Sequence, residues 1–314
     1  MKFIAILFFV FVTANLTAQS TFVPDDIFEA YLETHNSSGI PVSIGNPTSM
    51  GNGISNDNYV LTSRINTVAV LQVINLGISD LTGIESFQLL SQLNCSQNNL
   101  VSVNVSQNAA LQFFYCSYNN ISSLNLSQNI ALKNLKCSLN ELTDLDLSNN
   151  PLLTELWCDD NQIFNLNISE NNLLTRLVCT INQLQNLDVS HCSNMGELYC
   201  GSNQLNCLNV ATQTEYGMTL SAINNPNLTC IEVFNINFPP PSFASFLDPQ
   251  MYYNEDCMNN CSSTAGIQEL TSDKKLIKTT DLMGREINPN TQSNILLINY
   301  YDNGTFDKVF ISPK

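Results

Sequence analysis

The segment LKNLKCSLNEL, residues 132–142, contains the pattern that decides the fold of this chain. Leu132 and Leu135 precede Cys137 by five and two residues, and Asn140 follows it by three. The same arrangement returns every 21 residues, with its cysteine at Cys95, Cys116, Cys137, Cys158, Cys179 and Cys200. A period this regular predicts a solenoid, in which each turn stacks on the one before it.

The second half of each repeat carries a fainter pattern, LxLSxN, as in Leu145, Leu147, Ser148 and Asn150. Each turn is therefore predicted to contain two short extended segments joined by two tight bends. No single turn can bury its own leucines. The extended segments of successive turns are thus expected to lie parallel, about 4.8 Å apart, over one continuous core.

The pattern LxxLxCxxNxL resembles the signature of the leucine-rich-repeat family, LxxLxLxxNxL, in its short bacterial form. It covers residues 71–233. The resemblance implies a mainly β fold, a leucine-rich-repeat solenoid with caps over both ends, which we place at residues 19–70 and 234–262. It also implies a protein that works by binding and is not an enzyme.

The recurring asparagine and cysteine are predicted to face the interior. A polar side chain at a tight inner bend can form hydrogen bonds with backbone groups that would otherwise be buried without partners. The asparagine three residues after each cysteine, such as Asn140, is therefore interpreted as structural. The cysteines alternate with inward leucines, and we predict free, buried thiols that act as small apolar fillers. Two alternatives stay open: strained disulfides between neighbouring turns, and a metal site, although the paired CxxC spacing is absent.

The N-terminus has the order of a secretory signal peptide: Lys2, then an apolar run, then small residues before Gln19. Residues 1–18 are predicted to be this signal, and the mature protein to pass through the periplasm to the outer cell surface or medium. The apolar run is too short to span a membrane, and no later segment is more apolar.

The cap that follows is predicted to contain one helix and one long loop. Asp25 and Asp26 suit a helix start, with a buried stripe formed by Ile27, Phe28, Tyr31 and Leu32. Residues 36–58 are rich in glycine and asparagine, and we predict that they form a long loop within this cap.

Four cysteines, Cys207, Cys230, Cys257 and Cys261, fall outside the 21-residue column. We predict a disulfide between Cys230 and Cys257, because it would hold the segment after the last repeat against the stack. A disulfide between Cys207 and Cys230 is the alternative, since the two can occupy equivalent positions in adjacent turns. Cys192 replaces an asparagine at a bend and is predicted to be free.

Residues 263–314 differ in character from the repeats and contain two motifs, DLMGRE from Asp281 and DNGTFDKVF from Asp302. They are predicted to form short antiparallel strands with a hairpin turn at Asp302, Asn303 and Gly304. The tail resembles the C-terminal sorting domain of the type IX secretion system of Bacteroidetes. The resemblance implies that the type IX secretion machinery recognises this tail.

Charge excludes some partners. Between the signal and residue 266 the chain has four basic and 21 acidic residues, a net charge of −17. Nucleic acid and anionic lipid surfaces are therefore excluded, because binding them depends on lysine and arginine. Protein and glycan partners remain.

The sequence contains no recognisable catalytic constellation. The two histidines, His35 and His191, have no neighbouring nucleophile, and neither a phosphate-binding glycine loop nor an HExxH motif occurs. Asp159, Asp160 and Glu155 are a candidate for a weakly bound calcium ion, but these residues lack the fixed spacing of a calcium loop. No catalytic residue, metal or cofactor is predicted.

Binding residues are expected on the outward positions of the strands, which flank the inward leucine of each turn. These positions hold the only tryptophan, which is predicted to be exposed, and several aromatic neighbours. The predicted ligand-binding residues are Phe113, Tyr115, Tyr118, Lys136, Glu155, Trp157, Asp159, Arg176 and Tyr199.

The corresponding column of the other extended half is wholly polar, and that contrast favours a binding face for protein or glycan. Tyr115, Trp157 and Tyr199 recur in alternate turns, about 10 Å apart, so flat rings could stack on alternate sugars. The alternative hypothesis is a passive spacer of the outer surface without a specific ligand.

Overall fold

The structure is a computed structural model that describes residues 19–211, 218–236, 246–257 and 261, together with the backbone of 276–280, 295–301 and 306–311. The predicted signal, residues 1–18, lies outside the described residues. The chain divides into two compact units between residues 263 and 264.

The repeats form a parallel sheet with one short strand from each turn. Its eight strands are β3 (Val70–Gln72), β4 (Gln92–Asn94), β5 (Phe113–Tyr115), β6 (Asn134–Lys136), β7 (Glu155–Trp157), β8 (Arg176–Val178), β10 (Glu197–Tyr199) and β12 (Thr219–Ser221). Equivalent residues of successive turns are paired, as Leu135 is with Leu156. The solenoid predicted from the 21-residue period is therefore confirmed, and the mid-strand leucines all point inward.

A second parallel sheet forms only in the last turns. It contains β9 (Asn186–Asp188), β11 (Cys207–Asn209), β13 (Cys230–Glu232) and β14 (Tyr252–Asn254). In the earlier turns the corresponding segment forms no strand, although a side chain closes the bend that follows it, as it also does after β9 and β11. Asp146, for example, accepts a hydrogen bond from the backbone N–H of Ser148 at 3.0 Å.

The core is a continuous column of leucine and cysteine side chains. Leu132, Leu135 and Cys137 are each 0% exposed, as are the equivalent cysteines of the other five turns. The six cysteines are free thiols, which confirms the prediction. Burial raises the pKa of Cys95 to about 12, so its thiol stays protonated and unreactive at neutral pH.

The asparagine that follows each cysteine joins its own turn to the preceding one. Asn140 Nδ2 donates to the carbonyl oxygens of Cys137 and Cys116, each at 3.1 Å. Its Oδ1 accepts from the backbone N–H of Ile121 at 3.0 Å. The same set of bonds recurs at Asn119, Asn161, Asn182 and Asn203. The structural interpretation of this column is confirmed.

A second column of asparagines lies at the other bend. Asn150 Nδ2 donates to the carbonyl oxygens of Leu126 and Asn129, at 3.2 and 2.9 Å. Cys192 takes this position in a later turn, where its thiol is buried, free and 3.6 Å from the carbonyl oxygen of Asn171. A thiol can thus replace the asparagine amide at this position and still face a carbonyl of the preceding turn.

The N-terminal cap closes one end of the stack. Its elements are β1 (Ser20–Phe22) and β2 (Tyr59–Leu61), which pair antiparallel, α1 (Asp26–Thr34) and α2 (Thr62–Ile65). A 3-10 helix (Ile84–Ser86) follows in the first turn of the repeats. The helix start at Asp25 and Asp26 is as expected, since Asp25 is the N-cap and accepts from the N–H groups of Ile27 and Phe28.

The buried face of α1 is only partly as expected. Phe28 and Leu32 are buried, but Ile27 is 44% exposed, and Glu29 and Glu33 are buried instead. The reason is the long loop, which folds onto the two carboxylates. Glu33 accepts from the backbone N–H of Gly53 at 2.8 Å, and Glu29 from that of Asp57 at 3.1 Å.

Two disulfides close the other end of the stack. Cys230 is bonded to Cys257, with the Cα atoms 5.7 Å apart, which is the first of the two pairings considered. Cys207 is bonded to Cys261 and not to Cys230, so the alternative pairing is wrong. Cys207 and Cys230 are neighbours in adjacent parallel strands, and each reaches instead to the segment that follows the repeats.

The C-terminal unit contains three antiparallel strands in sequential order, β15 (Leu276–Thr280), β16 (Ile295–Tyr301) and β17 (Phe306–Ile311). The expected small antiparallel β unit is therefore present. The DLMGRE motif and the turn at Asp302, Asn303 and Gly304 lie outside the described residues.

Asp25 also joins the cap to the first repeat, and acid should loosen this junction. Its Oδ2 accepts from the N–H and hydroxyl of Ser79, at 2.8 and 2.9 Å. Partial burial favours the neutral carboxyl, but the hydrogen bonds from Ser79, Phe28 and Asp80 outweigh it and hold the pKa of Asp25 below its ordinary value.

A lowered pKa in the folded state means that Asp25 stabilises the fold above its ordinary pKa, and that this stability is lost as the pH falls through the folded value. We expect Asp25→Ala to lower the free energy of unfolding by about 1–2 kcal/mol at neutral pH, because the α1 N-cap is lost. The difference from wild type should shrink in acid. Denaturant unfolding at several pH values measures both, and a difference independent of pH would contradict the assignment.

Candidate functional site

The predicted binding residues lie on the outer face of the eight-stranded sheet, which we call the strand face. The first and third residues of each three-residue strand point to this face, and the middle residue points to the core. On β5 to β8 and β10 the outward side chains are half-buried against their neighbours, except that of Asn134, which is 9% exposed and counts as buried. The strand face is therefore a packed layer of side chains.

The centre of the strand face is a stack of rings and cations from four consecutive strands. Lys136 on β6 lies between Tyr115 on β5 and Trp157 on β7, with its Nζ atom 5.4 and 4.6 Å from the two ring centroids. The guanidinium carbon of Arg176 on β8 lies 5.6 Å from the Trp157 ring. Each such contact contributes about 0.5–1 kcal/mol where it is partly exposed to water.

This stack corrects two expectations. Trp157 was predicted to be exposed, but it is half-buried and its indole N–H is buried with no hydrogen-bond partner. The Tyr115 and Trp157 rings were expected to be open for stacking on alternate sugars, but the ammonium group of Lys136 lies between them. The alternation rule gives the direction of a side chain from the sheet, whereas its exposure depends on how far long neighbours lean over it.

The charges at the centre are only partly paired. Arg176 forms an ion pair with Glu197 on the next strand, and this contact raises the pKa of the guanidinium. Burial, and then the nearby carboxylate of Glu155, raise the pKa of Tyr115, which stays neutral at physiological pH. Arg176–Glu197 is the only side-chain ion pair found within the described parts of the chain, so Lys136 contacts two rings and forms no ion pair there.

The remaining predicted residues surround this centre. Phe113 lies on β5 and Tyr199 on β10, and both are half-buried. Asp159 accepts a hydrogen bond from the hydroxyl of Ser138 in the neighbouring turn. Tyr118 lies beyond the strand, on the turn, and is 53% exposed.

The turn that follows each strand has a left-handed backbone at one residue. In six successive turns the second residue after the cysteine has φ between +52° and +59°: Gln97, Tyr118, Leu139, Asp160, Ile181 and Ser202. Asn75 and Asn224 have the same conformation in the flanking turns. For residues other than glycine or asparagine this conformation costs about 1–2 kcal/mol, and it is rarest for β-branched residues such as Ile181.

Sequence reasoning placed these residues in an outward column but selected only Tyr118 as a candidate. The left-handed backbone could not be predicted from the residue types, because polar, aromatic and aliphatic residues all occur at this position. The signal that could have indicated it was their fixed place, two residues after each cysteine, with asparagine at the equivalent position of both end turns.

The polar column of the other extended half has a structural cause. Its members each accept, through a side-chain oxygen, a hydrogen bond from the backbone N–H two residues later: Asn104, Asn125, Asp146, Asn167, Asp188 and Asn209. Such turns require Asn or Asp at that position. The contrast between a polar and an aromatic column therefore does not by itself indicate a binding face.

Two other features, a metal site and a membrane-spanning helix, are not found among the described residues. Across the described ranges, no group of three or more His, Cys, Asp or Glu side chains is placed to hold a metal ion, and Asp159, Asp160 and Glu155 form no such group. Nor does any helix in the described part of the chain have the length and apolar character needed to cross a membrane.

Comparison with solved structures finds leucine-rich-repeat proteins of bacteria. Internalin C2 from Listeria monocytogenes has 19% sequence identity and a TM-score of 0.52, over 76% of this chain and 97% of that one. The functional domain of InlJ from the same species, described as including a cysteine ladder, has 19% identity and a TM-score of 0.27, over 75% and 70% of the two chains. A leucine-rich-repeat protein of Leptospira interrogans has 20% identity and a TM-score of 0.42, over 61% and 50%.

No protein-family model matches the chain, and no curated protein matches it. The likeness to internalin C2, together with the 21-residue turns, shows the fold. The chain is a mainly β leucine-rich-repeat solenoid with a cap at each end, followed by a small antiparallel β unit.

Proposed function

We propose that this chain is an exported, non-enzymatic binding protein that recognises a protein partner through the strand face. The observation that carries the proposal is the clamp of Trp157 between Lys136 and Arg176 at the centre of the sheet. Tryptophan, tyrosine and arginine are the residues that most often dominate the energy of protein interfaces, and they do so where they are packed centrally.

The arrangement of the rings favours a protein over a glycan. A sugar stacks on an open ring face, whereas Lys136 lies between the facing sides of Tyr115 and Trp157. A sugar would have to displace the lysine, which would sacrifice two cation–π contacts. A protein partner can add contacts around the existing stack without breaking it.

Export forms part of the proposal and depends on other segments. Residues 1–18 have the order of a signal peptide, and the tail from residue 263 resembles a type IX sorting domain. Two disulfides support an oxidising destination, since disulfides persist mainly outside the cytosol. We propose the outer surface or the medium as the site of action.

The test is a display library of protein fragments selected on the purified protein, followed by affinity measurements on variants. We expect Trp157→Ala to weaken the selected fragments by about thirtyfold or more, the effect of losing a central hot spot. Phe164→Ala is the matched control, because Phe164 is an aromatic residue that is 58% exposed outside the sheet. Its loss should leave affinity unchanged.

The other outcomes distinguish the alternatives. Equal losses for Trp157→Ala and Phe164→Ala would mean that the strand face is not the site. Selection of no fragment, combined with binding on a glycan array that grows with chain length, would replace the protein partner with a glycan. Absence of both would leave the passive spacer.

A further inference from the structure

The turns beside the strand face carry an apolar strip that the stack does not need. Tyr118, Leu139 and Ile181 occupy the left-handed position of their turns, with φ of +59°, +52° and +55°. Tyr118 and Ile181 are each 53% exposed, and Leu139 is partly exposed. We call these three residues the turn strip.

The backbone of these turns is held by neighbouring turns whatever side chain is present. The N–H of Tyr118 donates to Ser138 O at 2.9 Å, and that of Ile181 to Gly201 O at 3.0 Å. A strained conformation persists when the surrounding structure determines it in this way. The side chain at this position is therefore free to vary without changing the path of the chain.

An unstrained choice is available within the same molecule. The flanking turns have Asn75 and Asn224 at this position. Asparagine tolerates the left-handed region, and its polar side chain is readily hydrated. Tyr118, Leu139 and Ile181 instead combine backbone strain with exposure of apolar surface. Burial within the chain covers most of Leu139 but leaves Tyr118 and Ile181 each 53% exposed, so for these two the compensating contact is expected from outside the chain.

We propose that the turn strip is a second row of contact residues, which extends the strand-face site and receives apolar side chains of a protein partner that also presents a carboxylate to Lys136. This inference rests on the proposed function. Lys136 supplies the charge complementarity, because it is a cation at the centre of the face with no carboxylate partner among the described side chains. Leu139 follows it by three residues in the same turn.

The chemistry of the partner segment follows from this placement. It is an acidic and apolar stretch, with an aspartate or glutamate that meets Lys136 and aliphatic or aromatic side chains that cover the strip. The attraction between Lys136 and this carboxylate acts only at short range, since the repeat domain as a whole is strongly acidic and does not attract an anion over long distances. Salt screens both the repulsion from the acidic domain and the attraction at Lys136, so comparing wild type with Lys136→Met at each salt concentration isolates the contact at Lys136.

The test uses Tyr118→Asn, Leu139→Asn and Ile181→Asn in the full chain, with Asp160→Asn as the matched control at an equivalent polar position. Relief of strain should raise the melting temperature of Ile181→Asn by roughly 2–4 °C. The same variant should weaken the fragments selected on wild type by about tenfold, whereas Asp160→Asn should not. Lys136→Met should weaken binding relative to wild type, and the difference should shrink as salt is raised.

Each result supports the strip or overturns it. A higher melting temperature with unchanged fragment affinity would mean that the residues are strained without being contacts. An unchanged or lower melting temperature in all three variants would remove the premise. If Trp157→Ala abolishes binding and the three asparagine variants do not affect it, only the strip is wrong; if Trp157→Ala also has no effect, the proposed strand-face function fails.

Discussion

Asn140→Ala is expected to lower the free energy of unfolding by about 2–4 kcal/mol, because it leaves one buried N–H without a partner and removes one of the two asparagine donors from each of two buried carbonyl oxygens. These groups are the carbonyl oxygens of Cys116 and Cys137 and the N–H of Ile121, at 3.1, 3.1 and 3.0 Å from the Asn140 amide. Two turns lose their link at once, so the effect should exceed that of an ordinary hydrogen-bond deletion.

Urea denaturation followed by circular dichroism measures this change. Asn149→Ala is a suitable control, since Asn149 is exposed and bonds only to the hydroxyl of Ser148 among its neighbours. It should cost less than about 0.5 kcal/mol. A variant of Asn140 as stable as that of Asn149 would mean that water reaches the bend and replaces the amide.

Leu135→Ala is expected to lower the free energy of unfolding by about 2–5 kcal/mol, because it opens a cavity in the middle of the stack. Leu135 is 0% exposed and lies in register between Phe114 and Leu156 of the adjacent turns. Neighbours on both sides lose contacts, and a repeated structure has limited freedom to close the space without shifting whole turns.

Two substitutions nearby calibrate the measurement. Lys133→Ala should cost almost nothing, since Lys133 is exposed. Lys136→Ala, one residue after Leu135 in the same strand, should cost about 1 kcal/mol, because the lysine contacts two rings. Equal losses for Leu135→Ala and Lys136→Ala would mean that the inward and outward positions of this strand are shifted by one residue.

The N-terminal cap illustrates how far sequence patterns reach. The start of α1 followed from Asp25, because a capping side chain acts on N–H groups two and three residues away. Its buried face did not follow, since Glu29 and Glu33 receive their hydrogen bonds from a loop about 20 to 30 residues later. An N-cap can be predicted because its partners are two and three residues away in the sequence. The burial of a carboxylate depends on which distant backbone segment folds over it, and the local sequence does not show that.

The disulfides show the same division. The count of four cysteines outside the column indicated a clip at the end of the stack, and Cys230 pairs with Cys257. The partner of Cys207 was not apparent, because Cys261 lies 54 residues away and reaches it only after the intervening chain has crossed the last turns. The separation of two cysteines in the sequence predicts a disulfide only when the path of the chain between them is known.

The sequence by itself determined the 21-residue turn, the inward leucines and cysteines, and the asparagine that links successive turns. These features follow from repetition, because each residue in a stack lies next to the equivalent residue of the preceding turn. Equivalent leucines and cysteines therefore pack on one another, and each asparagine forms the same hydrogen bonds to the preceding turn. Only the tertiary structure decided that Lys136 fills the space between Tyr115 and Trp157, and that Tyr118, Leu139 and Ile181 have a left-handed backbone. Contacts between unlike side chains of different turns depend on rotamers and on backbone angles imposed by neighbours, and neither is encoded in the period.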